Sequence, residues 1–312
     1  MTPLRIGTRD SQLAVWQATL VQGLLKDVGV PSELVYMKSE GDVDTVTPLY
    51  ALGVTGVFTK TLDAALLNNR IDIAVHSMKD VPTQLAQGIQ QASVLKRASY
   101  KDIFVYKNNS DFLHDFSSEA TIATGSVRRI AQWLHRYPNH KVENLRGNVN
   151  TRLRKVEENP WHGAIFAAAG LERIHLRPQS SVDLDWMLPA PAQGAIMVVC
   201  REGDDMTLNA CQSFNDEATA LCTKIERDFL SALMGGCSTP ISALAEVRGN
   251  EVHLQGNVIT PDGKEKAEVD KMVALAEASN LGLMAAREIL LNSGQAIVDR
   301  IRQKGLTADE EV

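Results

Sequence analysis

The sequence lacks a long hydrophobic run, a secretory signal and a positive net charge, and each absence excludes a class of protein. No run of about 18 apolar residues occurs, so no membrane partner is expected. The first residues lack the basic and then apolar stretches of a secretory signal, which predicts a cytoplasmic protein. The net charge of −6 argues against nucleic acid as the main partner.

Cysteine is also rare, with four residues in 312. None of them forms the C-x-x-C spacing of a metal site, and no metal is predicted. In a reducing compartment we expect free thiols rather than disulfides. The four cysteines are Cys200, Cys211, Cys222 and Cys237.

The composition that is present, 44% hydrophobic and 22% charged, is typical of a globular protein of two or three domains. Leu4–Thr8 alternates like a strand, and Asp10 or Ser11 is placed to cap a following helix. Leu34–Lys38 is the next strand, which predicts a parallel β-α-β crossover. The apolar face of the helix is expected to contain Leu13, Trp16, Leu20 and Leu24.

The stretch from Ile71 to Pro82 changes abruptly from apolar to polar. Its first five residues predict a buried strand, and Pro82 cannot extend a ladder. Open α/β sheets bind ligands at the carboxyl ends of such strands. The alternative is an ordinary strand exit with solvated charges. The polar residues that follow the strand are His76, Ser77, Lys79 and Asp80.

The segment Thr121–Lys155 is basic in an otherwise acidic chain. It holds eight cations against Glu143, or +7 locally. Thr124-Gly125-Ser126 and Leu145–Val149 each lead into a predicted helix, whose first N–H groups attract anions. We therefore predict a site for carboxylates or phosphates, with a solvated basic face as the alternative. The cations are Arg128, Arg129, Arg136, Lys141, Arg146, Arg152, Arg154 and Lys155.

The C-terminal third has a different pattern. Asp216 is placed to cap a long helix that ends at Gly235-Gly236, directly before Cys237. Three strands with hairpin turns and two helices then predict a small α+β domain. The strands are expected at Ser242–Val247, Glu251–Val258 and Lys264–Lys271, and the helices at Leu275–Leu291 and Gln295–Lys304.

The predicted organisation is two α/β lobes with a ligand cleft between them, followed by the α+β domain. A strand at Ala195–Val199 is expected to return to the first sheet. Domain 1 is predicted to comprise residues 1–96 and 195–213, domain 2 residues 100–190, and domain 3 residues 216–306.

Five motifs, in order over nearly the whole chain, resemble those of the porphobilinogen deaminase (hydroxymethylbilane synthase) family. One motif alone is weak, but five in register are specific. They are Arg5-Ile6-Gly7-Thr8-Arg9, His76-Ser77-Met78-Lys79-Asp80-Val81-Pro82, Ser126-Val127-Arg128-Arg129, Leu145-Arg146-Gly147-Asn148 and Gly236-Cys237.

The resemblance implies two lobes like those of type II periplasmic binding proteins, and a third domain with a three-stranded antiparallel sheet. It implies a monomeric transferase of haem biosynthesis, which joins four porphobilinogens head to tail, releases ammonia and hydrolyses the product to hydroxymethylbilane. Cys237 matches the cysteine that carries a dipyrromethane cofactor through a thioether, and Asp80 matches the catalytic aspartate. The cofactor- or substrate-binding positions are matched by Arg9, Ser11, Phe58, Ser77, Lys79, Thr124, Ser126, Arg128, Arg129, Arg146, Arg152, Arg173 and Gln193.

The chemistry of that reaction agrees with the residues. Porphobilinogen and its growing polypyrrole chain carry acetate and propionate groups, and arginine binds carboxylates through two parallel hydrogen bonds. One carboxylate, Asp80, could protonate the departing amine and then stabilise the positive charge on the substrate. The alternative for Asp80 is a surface ion pair with Lys79, which would contribute little.

The sequence departs from the family in one loop, from about Ser39 to Val57. Ala51 and Thr55 stand where lysines are common, and Glu40 stands where an arginine is frequent. Within this loop we assign no binding role, and Phe58 directly after it is the only neighbour that receives one.

Two other functions fit parts of the sequence. A two-lobed anion sensor without catalysis would explain the cleft and the arginines, but it has no use for Cys237 and forms no covalent adduct. A phosphoribosyl-type transferase would need a phosphate-binding glycine loop, and Gly53–Gly56 is too poor a match for one.

Overall fold

The computed structural model describes residues 2–38, 59–233 and 239–308, with side chains as far as residue 303. Within these ranges the strands are β1 Leu4–Arg9, β2 Ser32–Met37, β3 Ile73–Ser77, β4 Ile89–Val94, β5 Asp102–Tyr106, β6 Thr121–Ala123, β7 Lys141–Glu143, β8 Gly163–Ala167, β9 Ser181–Asp183, β10 Ile196–Arg201, β11 Ile241–Arg248, β12 Glu251–Ile259 and β13 Lys266–Ala274. The α-helices are α1 Gln12–Asp27, α2 Lys60–Leu67, α3 Val127–Arg136, α4 Val149–Glu158, α5 Ala168–Glu172, α6 Asp205–Gln212, α7 Glu217–Ala232, α8 Leu281–Ile289 and α9 Gln295–Ala308.

The first sheet has the strand order β2-β1-β3-β10-β4. Its first three strands are parallel, and β10 is antiparallel to both of its neighbours. Because helices cover both faces of such a sheet, its central strands β3 and β10 are buried along all but their last residue. The predicted return of the late strand to this sheet is confirmed.

Helix α1 begins where the sequence predicts, but it buries a different face. Ser11 is the N-cap and accepts a hydrogen bond from the Ala14 amide at 3.4 Å. The predicted apolar face is wrong by about one residue, because Leu20 is 38% exposed. Trp16 and Leu24 of the predicted face are only partly buried and flank the contact with the sheet. The buried residues are Ala14, Gln17, Ala18, Val21 and Leu25.

The second sheet repeats the pattern of the first, with the order β7-β6-β8-β5-β9. Strands β7, β6 and β8 are parallel, and β5 is antiparallel to β8 and β9. The chain therefore crosses between the two sheets twice, from β4 to β5 and from β9 to β10.

The two crossing segments lie against each other at Gly194. Its carbonyl accepts a hydrogen bond from the Ala98 amide at 3.1 Å. A β-carbon at this position would lie 2.7 Å from the Ser99 carbonyl oxygen, and φ is +88°. Only glycine fits such a close approach with a positive φ.

The third sheet is the predicted antiparallel meander, β11-β12-β13. Helices α7 and α8 pack on it, with Phe229 against Gly256. The third strand begins at Lys266 rather than Lys264, because the turn is wider than predicted. Within that turn the Thr260 amide donates to the Glu265 carbonyl at 2.9 Å.

The single helix predicted at Leu275–Leu291 is wrong. A 3₁₀-helix covers Leu275–Asn280, α8 follows, and a π-helical turn covers Leu290–Gly294. Asn292 in that turn is non-helical, with φ −94° and ψ −132°. Asparagine and glycine are weak helix formers, so the turn interrupts the helix before α9. Of the helices in the described ranges, none is long and apolar enough to span a bilayer.

A buried carboxylate, Glu226 on α7, ties the third sheet to the crossing segments. It is fully buried and forms a bidentate ion pair with Arg97, at 2.6 and 3.1 Å. It also accepts hydrogen bonds from the amides of Ala192 at 2.6 Å and Ala245 at 2.8 Å. Four donors from three parts of the chain therefore meet at one side chain.

Replacement of Glu226 by alanine is expected to lower the free energy of unfolding by about 3–5 kcal/mol, because it leaves Arg97 buried without its counter-ion. Chemical denaturation measures the change. The control is Asp228→Ala on the same helix, which removes an exposed pair with Lys224 worth about 0.3–0.5 kcal/mol. Similar losses in both variants would contradict the assigned role of Glu226.

Candidate active site

The first sheet contributes residues at the carboxyl ends of β1 and β3. Arg9 is the last residue of β1, and Ser77 is the last of β3. Ser77 accepts a hydrogen bond from the Gln17 side chain at 2.8 Å. The next three residues, Met78–Asp80, form a 3₁₀ turn with Met78 buried, which leaves Lys79 and Asp80 half-buried at the end of the sheet. The predicted buried strand is therefore present, and polar side chains follow it at its carboxyl end.

The second sheet contributes its residues at the equivalent strand ends. Thr124 follows β6, and its hydroxyl accepts from the Ser126 amide at 3.3 Å. Ser126 is the N-cap of α3, but its side chain forms no capping hydrogen bond. Arg146 follows β7 and is buried, and Arg152 lies in the first turn of α4, where its Nε donates to the Gly147 carbonyl at 2.7 Å.

A residue that the sequence did not indicate, Asp102, lies at the centre of the arginines. It is the first residue of β5 and is fully buried. Oδ1 accepts from Arg129 Nε at 3.1 Å and Nη2 at 2.7 Å, and Oδ2 lies 2.7 Å from Arg128 Nη2. Both guanidinium groups are therefore held by an internal carboxylate, and their binding of ligand carboxylates stays a prediction.

Gln193 joins the two sheets at the cluster. Its Oε1 accepts from Lys79 Nζ at 3.2 Å. Its Nε2 donates to the Tyr100 carbonyl at 2.8 Å and to Asp102 Oδ1 at 3.0 Å. The backbone carbonyl of Gln193 accepts from Arg97 Nε at 2.8 Å, so the cluster connects to the ion pair of Glu226.

Arg173 lies at the boundary between the sheets. Its Nη2 donates to the Gly194 carbonyl at 2.7 Å, and its guanidinium lies 5.8 Å from the centre of the Trp16 ring on α1. A second contact across the sheets joins Asn150 Nδ2 to Gln12 Oε1 at 3.1 Å.

Burial and mutual repulsion shift the pKa values of the cations. Burial, together with the charges of Arg129 and Arg128, lowers the pKa of Lys79 to about 8, although the charges of Asp80 and Asp102 oppose the shift. Burial, together with Arg129 and other cations, lowers the pKa of Arg152 to about 10. Burial also lowers the pKa of Arg173 to about 10.

The opposite holds for the internal carboxylate. Burial would raise the pKa of Asp102, but Arg128, Arg129 and Lys79 outweigh it and hold the pKa at about 2. Burial, with Arg9, lowers the pKa of His76 to about 4, so this imidazole is neutral at pH 7.

The cluster carries more positive than negative charge. Among the described residues, the two carboxylates that act on this cluster most directly are Asp80 and Asp102, so its nine charged groups carry a formal net charge of about +5. Desolvated cations in excess favour a ligand with several carboxylates, and a dipyrromethane with acetate and propionate side chains fits this requirement. The seven cations are Arg9, Lys79, Arg128, Arg129, Arg146, Arg152 and Arg173.

Two predicted site residues, Phe58 and Cys237, lie outside the described residues, as does the loop with Glu40, Ala51 and Thr55. The other predicted residues lie at the strand ends of the two sheets or at the crossing between them. The three cysteines within the described ranges are buried free thiols, as predicted.

The fold and the cluster together define a class: an α/β protein with two crossed sheets, a cationic site at their strand ends and an added antiparallel sheet. Two family models match the chain. One, "Porphobilinogen deaminase, dipyromethane cofactor binding domain", covers residues 4–209, and the other, "Porphobilinogen deaminase, C-terminal domain", covers residues 220–291. The chain belongs to the porphobilinogen deaminase family.

Similar proteins over the full length carry the same name. The porphobilinogen deaminase of Campylobacter hominis is 36% identical over 97% of this chain and 99% of its own. That of Syntrophomonas wolfei is 39% identical over 97% and 100%, and that of Acidithiobacillus ferrooxidans is 39% identical over 96% and 98%. The predicted family, transferase activity and dipyrromethane cofactor are confirmed.

Solved structures with some likeness include two binding proteins. An ancestral cationic amino acid solute binding protein is 16% identical and covers 68% of this chain and 87% of its own, with a TM-score of 0.45. A methionine binding protein is 15% identical and covers 70% and 91%, with a TM-score of 0.43.

Proposed function

We propose that the cationic cluster around Asp80 is the site at which this chain performs the reaction of its family. In that reaction four porphobilinogens are joined head to tail with release of ammonia, and hydrolysis frees hydroxymethylbilane. The observation that carries the proposal is a half-buried carboxylate, Asp80, within a cluster of mainly cationic side chains at the strand ends of two sheets. Such a site provides both an acid and an environment for a polycarboxylate.

Asp80 is proposed as the acid–base group. Its carboxyl group donates a proton to the departing amine, and the resulting carboxylate then stabilises positive charge on the substrate. Placement on the turn after β3 supports this role, since Asp80 is neither an N-cap nor one of the partners of Asp102. Lys79 and Arg152 lie near enough for the charge of Asp80 to raise their pKa values.

The cations of both sheets are proposed to hold the dipyrromethane cofactor and the growing chain. The cofactor, when bound, supplies the pyrrole to which the substrate units are joined. Lys79, Arg146 and Arg152 would bind its carboxylates from opposite sides of the cluster, and Cys237 would carry it through a thioether. Ser11, Ser77, Thr124 and Ser126 would add hydroxyl donors at the same strand ends.

The organisation of the whole chain is part of the proposal. We assign residues 1–96 with 195–213, 100–190 and 216–306 to three domains, in agreement with the strands of the three sheets. We also propose a cytoplasmic monomer that acts on free porphobilinogen without a membrane partner, and the net charge of −6 argues against nucleic acid as a partner. The family assignment favours this enzyme over the anion sensor.

The test is to incubate the purified protein with porphobilinogen and to measure ammonia and hydroxymethylbilane together. We expect four ammonia molecules for each hydroxymethylbilane, because every unit added loses its amine. Tight binding of porphobilinogen without ammonia release would instead support the anion sensor. A matched sample without substrate gives the background release.

A further inference from the structure

The internal carboxylate of Asp102 offers an inference that rests on the proposed function but concerns a residue outside the predicted site. Asp102 is fully buried and, through its two oxygens, contacts two arginines and Gln193. A carboxylate in this place cannot bind an anionic ligand itself. Its contacts act on the groups that do.

Each arginine is fixed by two or more of its nitrogens. Arg129 uses Nε and Nη2 for Asp102, and Nη1 for the Ile165 carbonyl at 2.9 Å. Arg128 places Nη2 2.7 Å from Asp102 Oδ2 in an ion pair and donates a hydrogen bond from Nη1 to the Leu188 carbonyl at 2.7 Å. Because a guanidinium is planar, two such contacts determine its orientation and leave its remaining N–H groups for a ligand.

One of these remaining groups is the Nε of Arg128. It is buried and has no hydrogen-bond partner among the described residues. A buried N–H without a partner costs free energy, so the site is better satisfied with an acceptor present. In the orientation imposed by Asp102, the Nε–H of Arg128 can therefore donate a hydrogen bond to a ligand.

We propose that Asp102 is a positioning residue for the reaction: it orients Arg128 and Arg129 for ligand carboxylates and, through Gln193, holds Lys79 beside Asp80. The second effect acts through Gln193, which bridges Lys79 and Asp102. Lys79, Arg128 and Arg129 lie together here, and the negative charge of Asp102 offsets part of their mutual repulsion.

The shift in the pKa of Lys79 agrees with this role. The charged groups that act on Lys79 are Asp80 on its own turn, Asp102 on β5, and Arg128 and Arg129 on α3. Asp102 raises the pKa of Lys79, so removal of its charge must lower the pKa below the present value of about 8. Lys79 would then lose its proton nearer to pH 7.

The test compares Asp102→Asn and Asp102→Glu with the wild-type, cofactor-loaded protein. Acetic anhydride labelling of Lys79, followed by peptide mass spectrometry across pH, gives the midpoint at which this amine loses its proton. The KM for porphobilinogen is measured on the same samples. The control is Asp183→Asn, which removes a carboxylate paired with Lys101 and Arg177 on the neighbouring strand β9.

For Asp102→Asn we expect a lower labelling midpoint and a KM raised about tenfold or more, because a charged hydrogen bond contributes about 1.5–3 kcal/mol. Asp102→Glu keeps the charge but moves it, so the midpoint should stay and the KM should rise. Asp183→Asn should change neither quantity. A merely structural role for Asp102 would lower the melting temperature without moving the midpoint.

The proposal is overturned if folded Asp102→Asn has the wild-type midpoint and KM. If Asp102→Asn fails to fold, Asp102→Glu decides, and a wild-type KM in that variant overturns the orienting role. Failure of the proposed function is distinguishable, because the wild-type protein would then release no ammonia from porphobilinogen while the labelling midpoint could still shift.

Discussion

Asp80→Asn is expected to abolish turnover of porphobilinogen while the protein still folds. Asparagine keeps the size of the side chain but has neither an acidic proton nor a negative charge. The departing amine then receives no proton, and the positive charge on the substrate has no counter-ion. Because the side chain is half-buried on a turn, the substitution leaves the packing of β3 unchanged.

The measurement is a single-turnover assay on cofactor-loaded protein, with enzyme–substrate adducts followed by intact mass. Asp80→Glu keeps the acid and displaces it by one methylene, and a displacement of about 1 Å costs about 10²-fold in rate. The control is Asp10→Asn, an exposed carboxylate at the same edge of the first sheet. Chain elongation by Asp80→Asn at the wild-type rate would remove Asp80 from the mechanism.

Cys237→Ser is expected to yield a folded protein that lacks the covalent cofactor and is inactive. A serine hydroxyl is a much poorer nucleophile than a thiol at neutral pH. The other cysteines are poor substitutes, because burial raises the pKa of Cys200 to about 11, of Cys211 to about 12 and of Cys222 to about 11. Their thiols stay protonated at pH 7.

Intact mass spectrometry of the purified protein measures this outcome. Active wild-type protein should be heavier than its sequence by one dipyrromethane unit, and Cys237→Ser should have the mass of the sequence alone. Cys222→Ser is the matched control: it should keep the extra mass and lose only stability, because Cys222 is buried. Active wild-type protein without added mass would refute the assignment of Cys237.

The site could be predicted where its residues follow strands directly. Ser77 and Asp80 come after the apolar run of β3, and that change of character places them at one edge of a sheet. Arg146 is instead predicted from the helix start that follows it, and the structure places this residue shortly after β7. The local sequence contains this information, since strand direction determines which edge receives the polar residues.

The internal partners could not be predicted in this way. Asp102 is an ordinary first residue of a strand in the sequence, and its role depends on arginines about 27 residues away. Glu226 lies on a helix with alternating charges, so nothing marks it as the buried one. Such contacts arise only from the packing of three sheets, and local periodicity does not contain that information.

The apolar face of α1 shows a similar limit. Its large residues suggested one stripe, but the helix buries the neighbouring stripe, in which Ala14 and Ala18 lie beside Val21 and Leu25. The helical spacing of apolar residues alone predicts two nearly equivalent buried faces when alanines lie beside leucines in the sequence. The distance to the sheet decides between them, and that distance is set by the fold.

The order of the strands has a consequence for synthesis of the chain. Strand β10 lies between β3 and β4 in the first sheet, yet it follows β4 by about 100 residues. At about 5–20 residues per second, the ribosome delivers it roughly 5–20 s after β4. Until then β3 and β4 have edges without a partner, which favours aggregation of the nascent chain. The first sheet can therefore be completed only after the second lobe has been synthesised. Its last strand, β10, pairs with β3, the strand that precedes Asp80.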